Sequence, residues 1–160
     1  MTNRFSDCTS LLKDHKVLEI LSEFSPEFVG SIPIGVDLPH SDIDIICELR
    51  PSILKVLESF SSYPNFQISE KVLGNVSSII CRFRLGSEKV EIVAQNLLPR
   101  EQISYLHMVI EEKILKEKGE TFRLSVLEKK KEGKTTETAF AELLGLEGDP
   151  YSTLLEYGDM

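Results

Sequence analysis

Two aspartates, Asp42 and Asp44, begin the segment Asp42–Leu49, whose sequence is DIDIICEL. The mostly apolar residues that follow predict a β-strand. Side chains alternate faces along a strand, so both carboxylates are expected on one face, roughly 6.6–6.8 Å apart along the backbone, with Ile43 and Ile45 on the opposite, buried face. Two carboxylates flanked by apolar residues are costly without a cation between them. The pair therefore indicates a site for Mg²⁺ or Mn²⁺, which prefer oxygen ligands.

A possible phosphate-binding loop precedes these aspartates. Gly30 and Ser31 accompany a short predicted strand, Phe28–Ile34, and a loop leads from there to Asp42. Glycine lets the backbone come close to a ligand, and serine offers a hydroxyl and an N–H group to a phosphate oxygen. The alternative is an ordinary turn followed by aspartates that only keep the strand edge soluble. The order of the elements favours a functional site, because it puts the loop and the carboxylates on neighbouring strands.

The spacing of these residues resembles the signature of the DNA polymerase β-type nucleotidyltransferase superfamily. Gly30-Ser31, ten intervening residues and then Asp42-Ile43-Asp44 carry the resemblance. It is closest to the small bacterial minimal nucleotidyltransferases, whose loop also has a glycine like Gly35 and a serine like Ser41. A resemblance to an uncharacterised bacterial domain family placed in that superfamily covers most of the chain and rests on the segments IPIGVDLPHSDIDIICE, HMVIEEKIL and TETAFAELLGLEGDPY.

The resemblance implies an enzyme that transfers a nucleoside monophosphate from a nucleoside triphosphate (NTP), such as ATP, to an acceptor hydroxyl. It implies a third carboxylate on a later strand, and Glu91 is the match, with Glu in place of the usual Asp. Asp42, Asp44 and Glu91 would bind the metal ions, and Glu91 would also activate the acceptor. The residues implied in nucleotide and phosphate binding are Gly30, Ser31 and Ser41.

Arg82 is a further candidate for phosphate binding. If Gly86-Ser87 forms a two-residue hairpin turn, Arg82 is placed directly opposite Glu91. An opposite-charge pair in that position contributes roughly 0.2–1 kcal/mol to hairpin stability. Arg82 is therefore predicted either to pair with Glu91 or to contact a phosphate beside the metal site, and both interpretations stay open.

Three further residues could contact a substrate. His107 has Glu111 one turn further along its predicted helix, which is either a proton relay or an ordinary helix-surface pair. His40, in the loop before the aspartates, contacts a phosphate or is solvated. Lys134 could reach a substrate from a turn. The preceding run Lys129–Lys131 is predicted as a solvated helix end, where cations suit the negative end of the helix dipole.

The elements that position these residues predict a mixed α+β fold, a nucleotidyltransferase-type sheet flanked by helices, with a small C-terminal helical subdomain. We expect one compact unit with an α/β core over residues 1–98 and a helical portion over 99–160. The predicted helices span 10–24, 51–60, 100–118, 122–131 and 136–144, and the predicted strands span 28–34, 42–49, 66–72, 76–85 and 89–95.

The composition limits the partners. Asp and Glu number 26 against 18 Lys and Arg, for a net charge of −8, so long nucleic acid is an unlikely partner. The acceptor is expected to be a small molecule or a protein.

No segment predicts membrane insertion or a signal peptide, so a cytoplasmic location is expected. The three cysteines are expected to be reduced. The alternative functions are a nucleotidyltransferase fold without turnover, which binds a nucleotide or a partner, and a partner-binding protein whose two aspartates are incidental.

Overall fold

The computed structural model describes residues 3–159, and a five-stranded mixed sheet lies at its centre. The spatial order is β1-β2-β5-β4-β3, in which β2 and β5 are parallel and the other neighbouring pairs are antiparallel. The predicted α+β class is confirmed. The strands are β1 (Glu27–Val29), β2 (Ile43–Glu48), β3 (Gln67–Leu73), β4 (Val76–Leu85) and β5 (Glu88–Gln95).

Helices precede the sheet, interrupt it once and follow it. Two 3₁₀ turns, Ser22–Phe24 and Pro99–Glu101, lead into β1 and into the C-terminal helices. Among residues 3–159, no helix has the length and apolar character needed to cross a membrane. The α-helices of this part of the chain are α1 (Asn3–Asp14), α2 (Val17–Ile20), α3 (Ile53–Glu58), α4 (Ile103–Lys118), α5 (Glu120–Lys131), α6 (Thr136–Leu143) and α7 (Pro150–Gly158).

Two hydrophobic clusters hold these elements together. The larger cluster packs one face of β2, β4 and β5 against α1, α2 and α3, with Phe60 stacked on Phe83 at 4.8 Å between ring centroids. The smaller cluster joins the helices α4 to α7 around Phe140 and includes Val36 from the loop between β1 and β2. Val36 therefore packs the loop after β1 into the helical cluster, which keeps the C-terminal helices over one face of the sheet.

The N-terminal helix and the first strand differ from the prediction. The helix predicted over 10–24 is wrong in extent, because Lys16 takes a left-handed conformation (φ 56°) and separates α1 from α2. The strand predicted over 28–34 ends at Val29, and the chain then turns back on itself through a hydrogen bond from the Val36 N–H to the Ser31 carbonyl (3.1 Å). Helix α7 was not predicted, although Asp149 caps its first turn by accepting a hydrogen bond from the Ser152 N–H.

The remaining elements agree with the prediction to within about three residues at each end. The cysteines Cys8, Cys47 and Cys81 are free and buried.

The prediction of a solvated lysine run is wrong for Lys130. That side chain is only 9% exposed, and its Nζ donates to the Val36 carbonyl. The end of α5 lies against the loop between β1 and β2, so this lysine satisfies a loop carbonyl instead of facing water.

Candidate active site

One row of side chains crosses the sheet on a single face, because residues paired on neighbouring strands point the same way. From β3 to β1 the row consists of Gln67, Arg82, Glu91, Asp44 and Val29. It places Asp44 and Glu91 side by side on the parallel strands β2 and β5. The predicted position of Arg82 opposite Glu91 is confirmed.

Gly30 lies directly against Asp44. Its φ is +90°, and a Cβ atom built on it would lie 2.5 Å from Asp44 Oδ2, closer than real Cβ contacts come. Glycine meets both demands, since it accepts positive φ and has no side chain. The backbone of Gly30 and Ser31 therefore borders the same cavity as the Asp44 carboxylate.

That cavity, of about 290 Å³, lies between the polar face of the sheet and the helices α4, α6 and α7. Four carboxylates border it, and no lysine or arginine does among the residues that the structure describes. The polar residues of the sheet wall are Gly30, Ser31, Asp44 and Glu91, and those of the helical wall are Ser104, His107, Glu111, Thr136, Glu137 and Tyr151.

Burial, followed by the nearby charges of Glu91, Asp42 and Glu137, raises the pKa of Asp44 to about 7. Ionising a carboxyl group among other carboxylates is unfavourable because the added charge is desolvated and repelled. Near neutral pH the Asp44 carboxyl is therefore close to half protonated. A cation placed beside it would reverse this balance and favour the ionised form.

Arg82 and Glu91 form the predicted cross-strand ion pair, with 2.8 Å between Arg82 Nε and Glu91 Oε2. The arginine side chain is 46% exposed and the glutamate side chain 25%. Arg82 also borders a second cavity of about 210 Å³, together with Asp42 and the basic residues Arg84 and Lys89. The two predicted aspartates thus border different cavities, and the Arg82–Glu91 pair lies between them.

The helical wall contains polar groups that burial affects strongly. His107 is 4% exposed, and its Nε2 donates to the Tyr151 carbonyl (2.9 Å), which joins α4 to α7. Glu111 is 2% exposed, and burial followed by the charge of Glu137 raises its pKa well above the usual range. The positive charge of Lys130 acts in the opposite direction and lowers the pKa of both Glu111 and Asp44.

Three further predicted site residues, Ser41, His40 and Lys134, border neither of these two cavities. The Ser41 hydroxyl accepts a hydrogen bond from the Leu38 N–H (2.9 Å), so it stabilises the loop. His40 is exposed at the surface of that loop. Lys134 forms an ion pair with Glu142 at 3.4 Å. The structure gives none of these three side chains a contact with the cavity that Asp44 and Glu91 border.

The donor set of the sheet wall is compatible with a divalent cation that takes part of its ligands from a substrate. Mg²⁺ is usually bound by one or two carboxylates together with phosphate oxygens and water. Asp44 and Glu91 are two such carboxylates on adjacent strands, and their proximity contributes to the raised pKa of Asp44. Within residues 3–159, no three His, Cys, Asp or Glu side chains form a group that could hold a metal ion by themselves.

The sequence prediction missed Glu137, Thr136 and Tyr151 of the helical wall. Their elements are α6 and α7, and no sequence motif indicates that these helices face the sheet. Two local signals were present: Thr135, whose side chain caps α6, and Asp149-Pro150 at the start of α7. Such signals locate the start of a helix but not its packing partner.

Solved structures of polymerase β-type nucleotidyltransferases share this fold. Cid1, in work on its RNA terminal uridylyl transferase activity, matches with a TM-score of 0.56 at 15% identity, over 79% of this chain and 40% of that one. The Cid1 poly(U) polymerase with MgGTP bound matches with a TM-score of 0.54 at 13% identity, over 79% and 41%. The GLD-2/RNP-8 complex matches with a TM-score of 0.50 at 13% identity, over 96% and 57%.

At these identities the similarity establishes the fold, which confirms the predicted nucleotidyltransferase-type sheet. This chain spans only 40% of the Cid1 chain that it matches. No curated protein sequence matches it. The family described as a domain of unknown function (DUF4269) matches residues 10–157, a range that includes both walls of the cavity. Because this match covers most of the sequence, the chain belongs to the DUF4269 family.

Proposed function

We propose that this chain is a Mg²⁺- or Mn²⁺-dependent nucleotidyltransferase, which transfers a nucleoside monophosphate from an NTP to a hydroxyl of a small molecule or protein. The observation that carries the proposal is the parallel register of Asp44 with Glu91, directly beside the Gly30 backbone. This arrangement brings two carboxylates and a close-approach loop to one cavity on a nucleotidyltransferase-type sheet. The fold similarity supports the reaction class, and the site residues of this chain support the assignment of roles.

Each residue of the sheet wall has a defined part in this proposal. Gly30 and Ser31 offer backbone and hydroxyl groups to the β- and γ-phosphates. Asp44 and Glu91 would hold the divalent cation, with Asp42 contributing from the adjoining cavity. The bound cation would neutralise charge that develops on the transferred phosphoryl group. Arg82 lies where it can exchange Glu91 for a phosphate oxygen, since both partners remain partly exposed.

The cavity favours a compact acceptor. Its volume of about 290 Å³ and its carboxylate lining suit a small molecule or a single protein side chain better than a polyanion. Cid1 is described as an RNA terminal uridylyl transferase and a poly(U) polymerase. The acidic residues that line the main cavity of this chain disfavour RNA as its substrate, because they repel a polyanion.

The first test is thermal unfolding with ATP, CTP, GTP and UTP, with and without Mg²⁺, on wild type, Asp44→Asn and Asp14→Asn. Asp14 is an exposed residue at the end of α1 and serves as the matched control. A ligand at about 100 times its dissociation constant stabilises a protein by about 2.7 kcal/mol. We expect a Mg²⁺-dependent rise in melting temperature in wild type and Asp14→Asn only. No rise with any nucleotide would contradict the proposal.

The second candidate function is a nucleotide-binding module without turnover. The Arg82–Glu91 ion pair favours this second function, because Arg82 occupies the Glu91 carboxylate that would activate the acceptor. A pyrophosphate-release assay separates the two functions. It uses the nucleotide that gives the largest shift in melting temperature, together with pooled small-molecule and protein acceptors. Turnover in wild type that is lost in Asp44→Asn supports the enzyme, whereas Mg²⁺-dependent binding without pyrophosphate supports the module.

A further inference from the structure

Two carboxyl groups of the helical wall, Glu111 on α4 and Glu137 on α6, face the cavity opposite the proposed metal carboxylates. The two carboxyl groups are neighbours, and Glu137 contributes to the raised pKa of Glu111. Neither contacts Gly30, Ser31 or the Arg82–Glu91 pair in the hydrogen bonds of the structure, so the proposed nucleotide chemistry gives them no task. They form a separate acidic patch, which we name the Glu111–Glu137 patch.

Glu111 has an unsatisfied oxygen. Its side chain is 2% exposed, and Oε2 is the one buried side-chain nitrogen or oxygen atom without a hydrogen-bond partner in the part of the chain that the structure describes. A buried polar atom without a partner costs about 1–3 kcal/mol, and more if it is charged. When both groups are ionised, their oxygens can only accept hydrogen bonds and their charges repel each other. The pair then needs either a proton, which the raised pKa of Glu111 favours, or a donor that carries positive charge and takes the place of that proton.

No basic side chain of the described residues borders the cavity and supplies this positively charged donor. Lys130 is the nearest cation that acts on both Glu111 and Glu137, but its Nζ donates to the Val36 carbonyl and its side chain does not border the cavity. Asp44 on the facing wall adds further negative charge. The cavity could therefore accept a cation at the patch in addition to one at Asp44 and Glu91.

The shape of the donor set favours an organic ammonium over a second metal ion. A divalent metal needs several oxygen ligands at short distance, and the described residues contain no group of three acidic or imidazole side chains placed to hold one. An ammonium group donates up to three hydrogen bonds and is satisfied by one or two carboxylates with neutral oxygens. The hydroxyl-bearing residues Ser104 and Thr136 border the same wall and supply such oxygens.

We propose that the Glu111–Glu137 patch binds a protonated amine of the acceptor, so that the acceptor is a small hydroxyl compound that also carries an ammonium group. This inference rests on the proposed function and names the acceptor class for the same cavity. The amine on the helical wall would hold the acceptor across the cavity from the phosphate-binding loop. The proposed patch positions the acceptor and takes no part in bond formation.

The experiment compares small amines with their neutral counterparts by isothermal titration calorimetry. The probes are 1,3-diamino-2-propanol, glucosamine and spermidine, each beside its fully N-acetylated form. They are titrated into wild type, Glu137→Gln, Glu111→Gln and the control Asp14→Asn. We expect at least one amine to bind wild type and Asp14→Asn about tenfold or more tightly than its acetylated form, and this preference to disappear in Glu137→Gln. Because Glu137 is only half-buried, that variant is expected to fold even if Glu111→Gln does not.

The result that overturns the inference is equal affinity for every amine and its acetylated form, or a preference that persists in both patch variants. A Mg²⁺ titration without amine or nucleotide provides a second check: saturable binding that Glu137→Gln removes would identify the patch as a metal site and overturn the inference. Failure of the nucleotidyltransferase proposal has a different signature. The Mg²⁺-dependent nucleotide shift would then be absent from wild type while the amine preference remains.

Discussion

The two walls of the cavity were built in different ways. The sheet wall comes from short sequence motifs, and the register of three neighbouring strands brings Asp44, Glu91 and Arg82 into one row. The helical wall comes from three helices, whose packing brings Glu111 and Glu137 to the same cavity. The groups suited to phosphate chemistry are thus placed by strand register. The groups suited to recognition depend on how helices pack.

The walls also differ in how their carboxylates are balanced. On the sheet wall, Glu91 has Arg82 as a partner at 2.8 Å. The charges that act on Asp44 are those of other carboxylates and, more weakly, that of Lys130. On the helical wall, Glu111 is buried with one oxygen unpartnered. Acidic groups without a compensating charge lower the stability of the folded protein, and such groups are common where a site is arranged for a ligand.

The largest stability effect is expected from removing the charge of Asp44. The folded-state pKa of about 7 lies above the ordinary 3.8, so the folded state holds the proton more tightly than the unfolded state. The contribution of Asp44 to stability is therefore most favourable below about pH 4, falls as the pH rises from about 4 to about 7, and stays low above that. At pH 8 without metal ions, Asp44→Asn should raise the free energy of unfolding by up to about 4 kcal/mol, at about 1.36 kcal/mol per pKa unit.

Urea denaturation at pH values from 4 to 9 with a chelator measures this difference. The gain of Asp44→Asn over wild type should shrink towards zero near pH 4, where both carry an uncharged group. Asp14→Asn should show no such pH-dependent gain. A constant difference at all pH values would mean that Asp44 is balanced like Glu91 and would remove the contrast between paired and unpaired carboxylates.

A smaller effect is expected from Gly30→Ala, which tests how tightly the loop packs on the sheet wall. Gly119→Ala is the matched control, because Gly119 has a similar φ of +83° with nothing within 4 Å of its Cβ position. Both variants bear the cost of a positive φ, about 1–3 kcal/mol. Gly30→Ala should lose more stability than Gly119→Ala, because its Cβ displaces the Asp44 carboxylate, and it should also weaken the nucleotide-induced shift in melting temperature.

Chemical denaturation of both alanine variants, followed by nucleotide titration, provides the measurement. If the two variants lose equal stability and both keep the nucleotide shift, the Asp44 side chain rotates away at no cost. The loop would then not depend on its close approach to the carboxylate.

The smallest effect is expected from the Arg82–Glu91 pair. A double-mutant cycle with Arg82→Gln and Glu91→Gln should give a coupling energy of about 0.2–1 kcal/mol, because the pair is directly opposed but partly exposed. The coupling should weaken as the salt concentration rises. A coupling of several kcal/mol would mean that the pair is a structural lock, which would leave Glu91 unable to exchange its partner for a substrate.

The sequence was sufficient for the Arg82–Glu91 pair and for the polar face of β2. The turn at Gly86-Ser87 fixes the register of β4 and β5, and the alternation of Ile43, Asp44 and Ile45 fixes which face is polar. Both features depend on residues close in the chain. Arg82 could therefore be placed opposite Glu91 without knowledge of any tertiary contact.

The sequence was insufficient where packing overrides local preference. Lys130 belongs to a run of three lysines that is typical of a solvated helix end, but the loop carbonyl of Val36 needs a donor and takes this one. The strand predicted over 28–34 fails because Gly30 turns the chain towards Asp44. The roles of Glu137 and Tyr151 depend on α6 and α7 lying over the sheet, and periodicity does not report which surface a helix faces.

Arg4 of α1 fastens the loop between β1 and β2 from outside the cavity. Its guanidinium pairs with Asp37 and with Glu88 at the start of β5, and it donates to the carbonyls of Leu38 and Ser41. Ordering a loop costs conformational entropy, roughly 1–2 kcal/mol per residue for the backbone. Because Arg4 holds the middle of this loop, that entropy is lost when the protein folds. An incoming triphosphate would meet a loop that is already in place, and more of its binding energy would appear as affinity.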